Sequence, residues 1–162
     1  MKKYKNWIII ANLLIIIAYF SFTIVQKEKI LKDGQVILLQ LAPVDPRSLM
    51  QGDYMTLRYA LAQKFTLNDV SRRGYLVVKL NRSGVAEALR IQSNMTPLNK
   101  EEIVIKYTMP NKYTLLIGAE SYFFQEGEAA KYDKAKFGGI QVDDKGNSLL
   151  IGLYDENRKM IK

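Results

Sequence analysis

The stretch WIIIANLLIIIAYFSFTIV, Trp7 to Val25, decides the architecture of this chain: nineteen consecutive residues carry no charge, and only Asn12, Ser21 and Thr23 are polar. As an α-helix it measures about 28 Å at 1.5 Å per residue, close to the thickness of a bilayer's hydrocarbon core. A buried core helix and a cleaved signal peptide are the competing readings. A core helix keeps a polar face, whereas Ile8 to Ile10 and Leu13 to Ile17 are apolar all round. A signal peptide has a shorter apolar run and a small-residue cleavage site, whereas this run ends in Phe20, Phe22, Ile24 and Val25. Tyr4 and Trp7 at one end and Tyr19 near the other suit the headgroup interface. The sequence thus predicts an uncleaved single-pass anchor, in contact with the lipid bilayer through Trp7–Val25.

Working outward, Lys2, Lys3 and Lys5 precede the span, and Lys27, Lys29 and Lys32 follow it. Orientation follows Lys and Arg near the span, and here the two flanks are nearly matched. The N-terminal cluster is denser. We therefore expect residues 1–6 as a short cytoplasmic head and 26–34 as a helical extension ended by Gly34. Residues 35–162 then form a β-rich domain outside the cytoplasm, at a bacterial cytoplasmic membrane.

The 162 residues suffice for one domain beyond the anchor, and a composition of 48% hydrophobic and 25% charged residues is that of a folded chain. Cysteine and histidine are both absent. No disulfide, thiol nucleophile, lipidated cysteine or Ser-His-Asp triad is available, and a zinc site is not expected. The net charge is +8, and without the three leading lysines 21 basic residues face 16 acidic ones. No dense basic run is interleaved with aromatics, which argues against a nucleic-acid partner. We expect no cofactor and no metal.

Beyond the span, Gln35–Ala42 is a short apolar run that reads as a buried strand ended by Pro43. Asp45-Pro46 caps a short helix to Gln51, and Gly52 closes it. A strand from Tyr54 to Leu61 alternates, with Met55, Leu57 and Tyr59 on one face. Three hairpins follow: Tyr75–Leu80 with Val85–Gln92, Glu102–Tyr107 with Tyr113–Ile117, and Gly139–Val142 with Ser148–Leu153, each across a loop holding Gly, Pro or Asn. A strand Glu120–Gln125 and a helix Gly127–Phe137 fill the gap before the last. The fold class is mainly β, a β-rich α+β arrangement: a transmembrane helix, then a mostly antiparallel sheet folded as a sandwich or partial barrel with one or two short helices.

Residues Gly52-Asp53-Tyr54-Met55-Thr56-Leu57-Arg58-Tyr59 read G-D-Y-x-x-L-x-Y. This resembles the defining motif of the GDYXXLXY family, bacterial membrane-anchored proteins of uncharacterised function. The lead-in Val44-Asp45-Pro46-Arg47-Ser48-Leu49 and the later Tyr122-Phe123-Phe124-Gln125-Glu126-Gly127 are similar to that family too, with Gln125 where a proline is expected. The resemblance implies an anchored extracytoplasmic domain, often encoded beside multi-spanning membrane proteins, and no reaction. In physical terms Gly52 supplies a positive φ, Asp53 ties the corner through backbone amides, and Leu57 and Tyr59 enter the core. The Tyr59 hydroxyl then needs a polar partner.

The anchor followed by a "GD" strand also looks like the start of type I signal peptidases, which use a serine and a lysine base. The candidates for that alternative are Ser48 and Lys79, but the nucleophile's place, eight residues before the glycine, is held by Val44. Glu101-Glu102, Asp143-Asp144 and Glu126/Glu128 read as solvated charges near turns, and Asp143-x-Lys145 as a hairpin tip rather than a calcium loop. The sequence leans away from an enzyme. It favours a non-enzymatic partner of another membrane or envelope protein, with Tyr122 and Phe124 as a candidate interaction face. A small-molecule-binding domain is the third reading.

Overall fold

The structure is a computed structural model that describes residues 2–42, 54–65, 71–111, 113–125 and 127–162. The expected helix from Pro46 to Gln51, and with it Ser48, Gly52 and Asp53, lies outside the described residues, as does Glu126. Helix α1 covers Lys2–Asp33 and passes through one residue, Gly34, into strand β1, Gln35–Gln40. The later strands are β2 Tyr54–Thr56, β3 Arg73–Leu80, β4 Ala86–Gln92, β5 Glu102–Asn111, β6 Thr114–Leu116, β7 Ser121–Phe123, β8 Phe137–Val142 and β9 Ser148–Tyr154. A 3-10 turn at Ala60–Lys64 and helix α2, Ala129–Tyr132, complete the described elements.

Among the described residues three antiparallel sheets form, in the orders β1-β8-β9, β4-β3-β5-β6 and β2-β7. They share one core, centred on Ile37, Leu39, Leu76, Ile105, Ile140 and Leu153. Alternation explains which side chains enter it: Ile37 and Leu39 are buried on β1, as are Ile105, Tyr107 and Met109 on β5. A parallel bridge of Leu38 with Val85, and Leu38 N–H donating to Gly84 O, joins the first sheet to the second. Among the described residues the sheets do not close into a barrel.

Several boundaries differ from the sequence reading. The strand expected over Tyr54–Leu61 keeps its ladder with β7 only to Thr56. After that Leu57 N–H donates to Glu120 O, and Arg58 O accepts from Ala42 N–H, so the extended chain changes neighbours and then turns at Ala60. Strand β5 runs through Thr108-Met109-Pro110, which had read as a loop. Met109 remains buried with its N–H bonded to Arg72 O, and Pro110 falls at an irregularity of the β5–β6 ladder. The helix expected over Gly127–Phe137 is four residues long, because Gly127 has φ +86° and the chain must be extended again at Phe137 to begin β8.

The join between α1 and the domain is tight. Gln141, buried on β8, donates through Nε2 to Leu31 O and Gly34 O, both at 2.9 Å, satisfying carbonyls that a helix end leaves open. Gly34 is required here for space: a Cβ would lie 2.5 Å from Ile30 O and 2.7 Å from Gln141 Cγ. Ile30 is buried against the domain, whereas Trp7 to Val25 is exposed apart from the half-covered Thr23. Helix α1 is long and apolar enough to cross a membrane.

Candidate functional site: the motif strand and its aromatic neighbours

The structure brings together two segments that the sequence had singled out separately. Motif strand β2 pairs with β7, placing Tyr54 opposite Phe123 and Met55 opposite Tyr122. Leu57 and Tyr59 turn inward, each only 2% exposed, while Thr56 and Arg58 face solvent. The Tyr59 hydroxyl donates to Ala119 O, supplying the polar partner a buried phenol needs. Burial first, and the Glu120 carboxylate second, raise its pKa far above that of an ordinary phenol. The ring lies over Gly138, where a Cβ would come within 2.9 Å of it.

The turn leading into β7 is held by its own carboxylate. Glu120 accepts from the N–H of Ile117 and, at 3.0 Å, from that of Gly118, which adopts φ +82°. Buried Ser148 donates through Oγ to Ile117 O. This wiring fixes where β7 emerges.

From that turn onward, Tyr122 and Phe124 lie half-buried on the core-facing side of β7, against Tyr132 of α2, with ring centroids 5.0 and 5.4 Å from the Tyr132 ring. The Tyr122–Tyr132 pair is edge-on, an arrangement that the ring quadrupoles favour. Phe123, between the two, is 72% exposed on the opposite face of the strand. Burial, the Tyr132 hydroxyl and the Glu128 charge push the Tyr122 phenol up to about 12. It is therefore neutral near pH 7, a hydrogen-bonding apolar surface rather than a base. Lys131 borders the cluster, paired with Glu128 at 3.1 Å and 5.9 Å from the Tyr132 ring centroid.

Lys79 lies elsewhere. Its side chain is 50% exposed and its Nζ is 3.0 Å from a Glu101 carboxylate oxygen. It lines an open depression of about 730 Å³ with Gln35, Asn81, Arg82, Glu101 and Glu102; no serine is among the described residues lining it, and Ser48 lies outside the described residues. A lysine base needs desolvation, and Lys79 is neither enclosed nor unpaired. Glu102 receives two hydrogen bonds from Arg90 and two from Asn99, and Arg90 before Asn99 holds its carboxyl down to about 2. At Asp143 burial acts in the opposite direction, but hydrogen bonds from Asn147 and Lys145 keep the carboxyl below its usual range. Both acids are committed to their loops. Among the described residues no three His, Cys, Asp or Glu side chains converge as a metal site would require.

Gln141, Glu120, Tyr132 and Gly138 carry much of this geometry and were not picked out in the sequence. Gln141 sits in β8, where nearly every residue is buried, and its partners lie more than a hundred residues earlier, so nothing local in the sequence marks it.

These features define a class: a β-rich domain carried on one long apolar helix, with a motif strand that closes the core. The family model described as GDYXXLXY protein matches residues 16–153, and the chain belongs to that family. No curated protein and no solved structure matches it.

Proposed function

We propose that this protein is a single-pass membrane protein whose β-domain works outside the cytoplasm as a non-enzymatic accessory to another membrane or envelope protein, docking through the β2–β7 ribbon. The observation that carries this reading is the junction. A helix able to span a bilayer, uncovered along its apolar length, enters β1 through a single glycine and is hydrogen-bonded there by Gln141. A domain joined so closely to its anchor is held at a defined height and attitude above the bilayer, which suits recognition of a neighbour in the same membrane. Phe123 is exposed on one face of β7, and the half-buried rings of Tyr122 and Phe124 keep part of their surface open on the other, aromatic groups of the kind that protein interfaces favour.

Capture of the full-length chain from detergent-solubilised membranes, followed by mass spectrometry, tests the proposal. A stoichiometric membrane or envelope partner that is lost from a Tyr122→Ala/Phe124→Ala variant is the expected result. Recovery of the chain alone would count against it. Sidedness is tested separately by a membrane-impermeant thiol reagent on Ser83→Cys, since Ser83 is exposed at the β3–β4 turn. Gly146 suits the label less well: its φ is +79° and a Cβ would meet two backbone atoms at 3.2 Å.

A further inference from the structure

Asn12 lies five residues inside the Trp7 end of the apolar run, about 7.5 Å along the helix axis. Its side chain is exposed and makes no hydrogen bond to any described residue. Thr23 solves the same problem locally, donating from Oγ1 to Tyr19 O at 3.0 Å. Ser21 is four residues from the Val25 end and can do likewise. A carboxamide is harder to satisfy, since it carries an acceptor oxygen and two N–H donors that hydrocarbon cannot meet.

Ile8, Asn12, Ile15, Tyr19, Phe22 and Gln26 follow one another at alternating spacings of four and three, a 3.5-residue repeat along one exposed face of α1. In so uniformly apolar a run that spacing can be drawn from any residue; what singles out this face is Asn12, since one polar residue among apolar ones sets the register of a left-handed helix pair.

We propose that this face of α1 is the contact between two copies of the chain, paired in parallel within the membrane with Asn12 opposite Asn12. The choice of occupant follows from the amide itself. It is self-complementary, so a twofold axis supplies each carbonyl with the other copy's N–H and needs nothing that the chain lacks. A parallel pair also keeps both domains on one side of the bilayer. The inference rests on the span lying in lipid and is independent of the docking surface on the ribbon.

Single cysteines are simple to place in a chain that has none. In native membranes holding full-length protein, oxidative cross-linking of Ile8→Cys, Ile15→Cys and Phe22→Cys is expected to give a homodimer. Ile10→Cys, Leu14→Cys and Ile17→Cys on the far face should give several-fold less. Adding Asn12→Leu to Ile15→Cys should lower dimer yield about five- to tenfold, the range that an interhelical polar contact supports, while Asn12→Gln should restore most of it. Equal cross-linking around the helix, a yield indifferent to Asn12→Leu, or seam cross-links to a different protein would each overturn the proposal. Alkaline carbonate washing separates the two readings. Release of the protein would sink both, whereas retention without a cross-linking period sinks only the pairing of two copies.

Discussion

Tyr59 and Tyr122 belong to the same corner of the molecule, yet their surroundings are opposite in kind. Tyr59 is enclosed, hydrogen-bonded to Ala119 O and seated on Gly138, with every side of its ring occupied. Tyr122 rests on other rings and keeps part of its surface open. The first is a key fitted to a glycine slot. The second is a member of a half-buried ring stack at the edge of the core, with part of its surface left open. The difference teaches that the described core of the family motif, Leu57 and Tyr59, serves the fold, and that the segment paired with it is the better place to seek recognition.

The most severe way to test that division is to fill the slot. In Gly138→Ala the new Cβ would stand 2.9 Å from Tyr59 Cε1 and 3.2 Å from its hydroxyl oxygen. The ring cannot swing away without abandoning Ala119 O, so overpacking should cost about 2–4 kcal/mol. Chemical unfolding of the detergent-solubilised chain measures it. A loss below about 0.5 kcal/mol would mean that the ring has room to move, and the contrast with Tyr122 would collapse.

Removing the hydroxyl is gentler and adds a pH signature. Tyr59→Phe leaves the Ala119 carbonyl without its buried partner, at about 1–3 kcal/mol. Both phenols have pKa values raised above the ordinary 10.0. Their neutral forms are therefore favoured by folding, and that contribution is complete below about pH 10. As pH rises from about 10 through the folded-state value near 12 at Tyr122, and beyond it at Tyr59, the contribution is lost. Wild type should hold steady from neutral pH to about 10 and weaken above it. Tyr59→Phe should start lower and show a shallower alkaline fall than wild type, because the more strongly shifted of the two groups has been removed. An identical alkaline limb in wild type and Tyr59→Phe would show that Tyr59 does not titrate as a buried phenol.

Much of this was legible in the residues. Trp7–Val25 announces its helix by length and lack of charge, and the first and third hairpins pair as their turn residues and alternation imply, whereas the second pairs through Thr108 and Asn111, within the stretch expected as its loop. The inward placement of Leu57 and Tyr59 follows from a period of two. What alternation does not carry is a change of partner: Tyr54 to Tyr59 stays extended while its neighbour passes from β7 to the end of β1, so a single run of pattern covers two local settings. Nor can it reveal contacts that are distant in sequence. Gly138 looks like a weak point in a strand until Tyr59, some eighty residues earlier, occupies the space that its missing side chain leaves. Gln141 carries no local mark of its role until the end of α1 supplies two carbonyls to it. Local signals name elements, and the fit between elements is decided by volume and by unsatisfied backbone groups.

The smallest change in stability should come from the exposed side of the ribbon, where it sharpens the comparison most. Phe123 is 72% exposed, so truncation to alanine removes little buried area and should shift unfolding by less than about 0.5 kcal/mol. Under the proposed docking role the same substitution removes an aromatic anchor from the interface, where such losses commonly exceed about 1 kcal/mol and correspond to a several-fold drop in affinity. Phe123→Ala should therefore unfold like wild type but bring down less partner, whereas Tyr59→Phe should unfold earlier and, while folded, retain its partner. If Phe123→Ala captures as much partner as wild type, the outer face of β7 plays no part in docking, and recognition must be sought on Tyr122 and Phe124 alone.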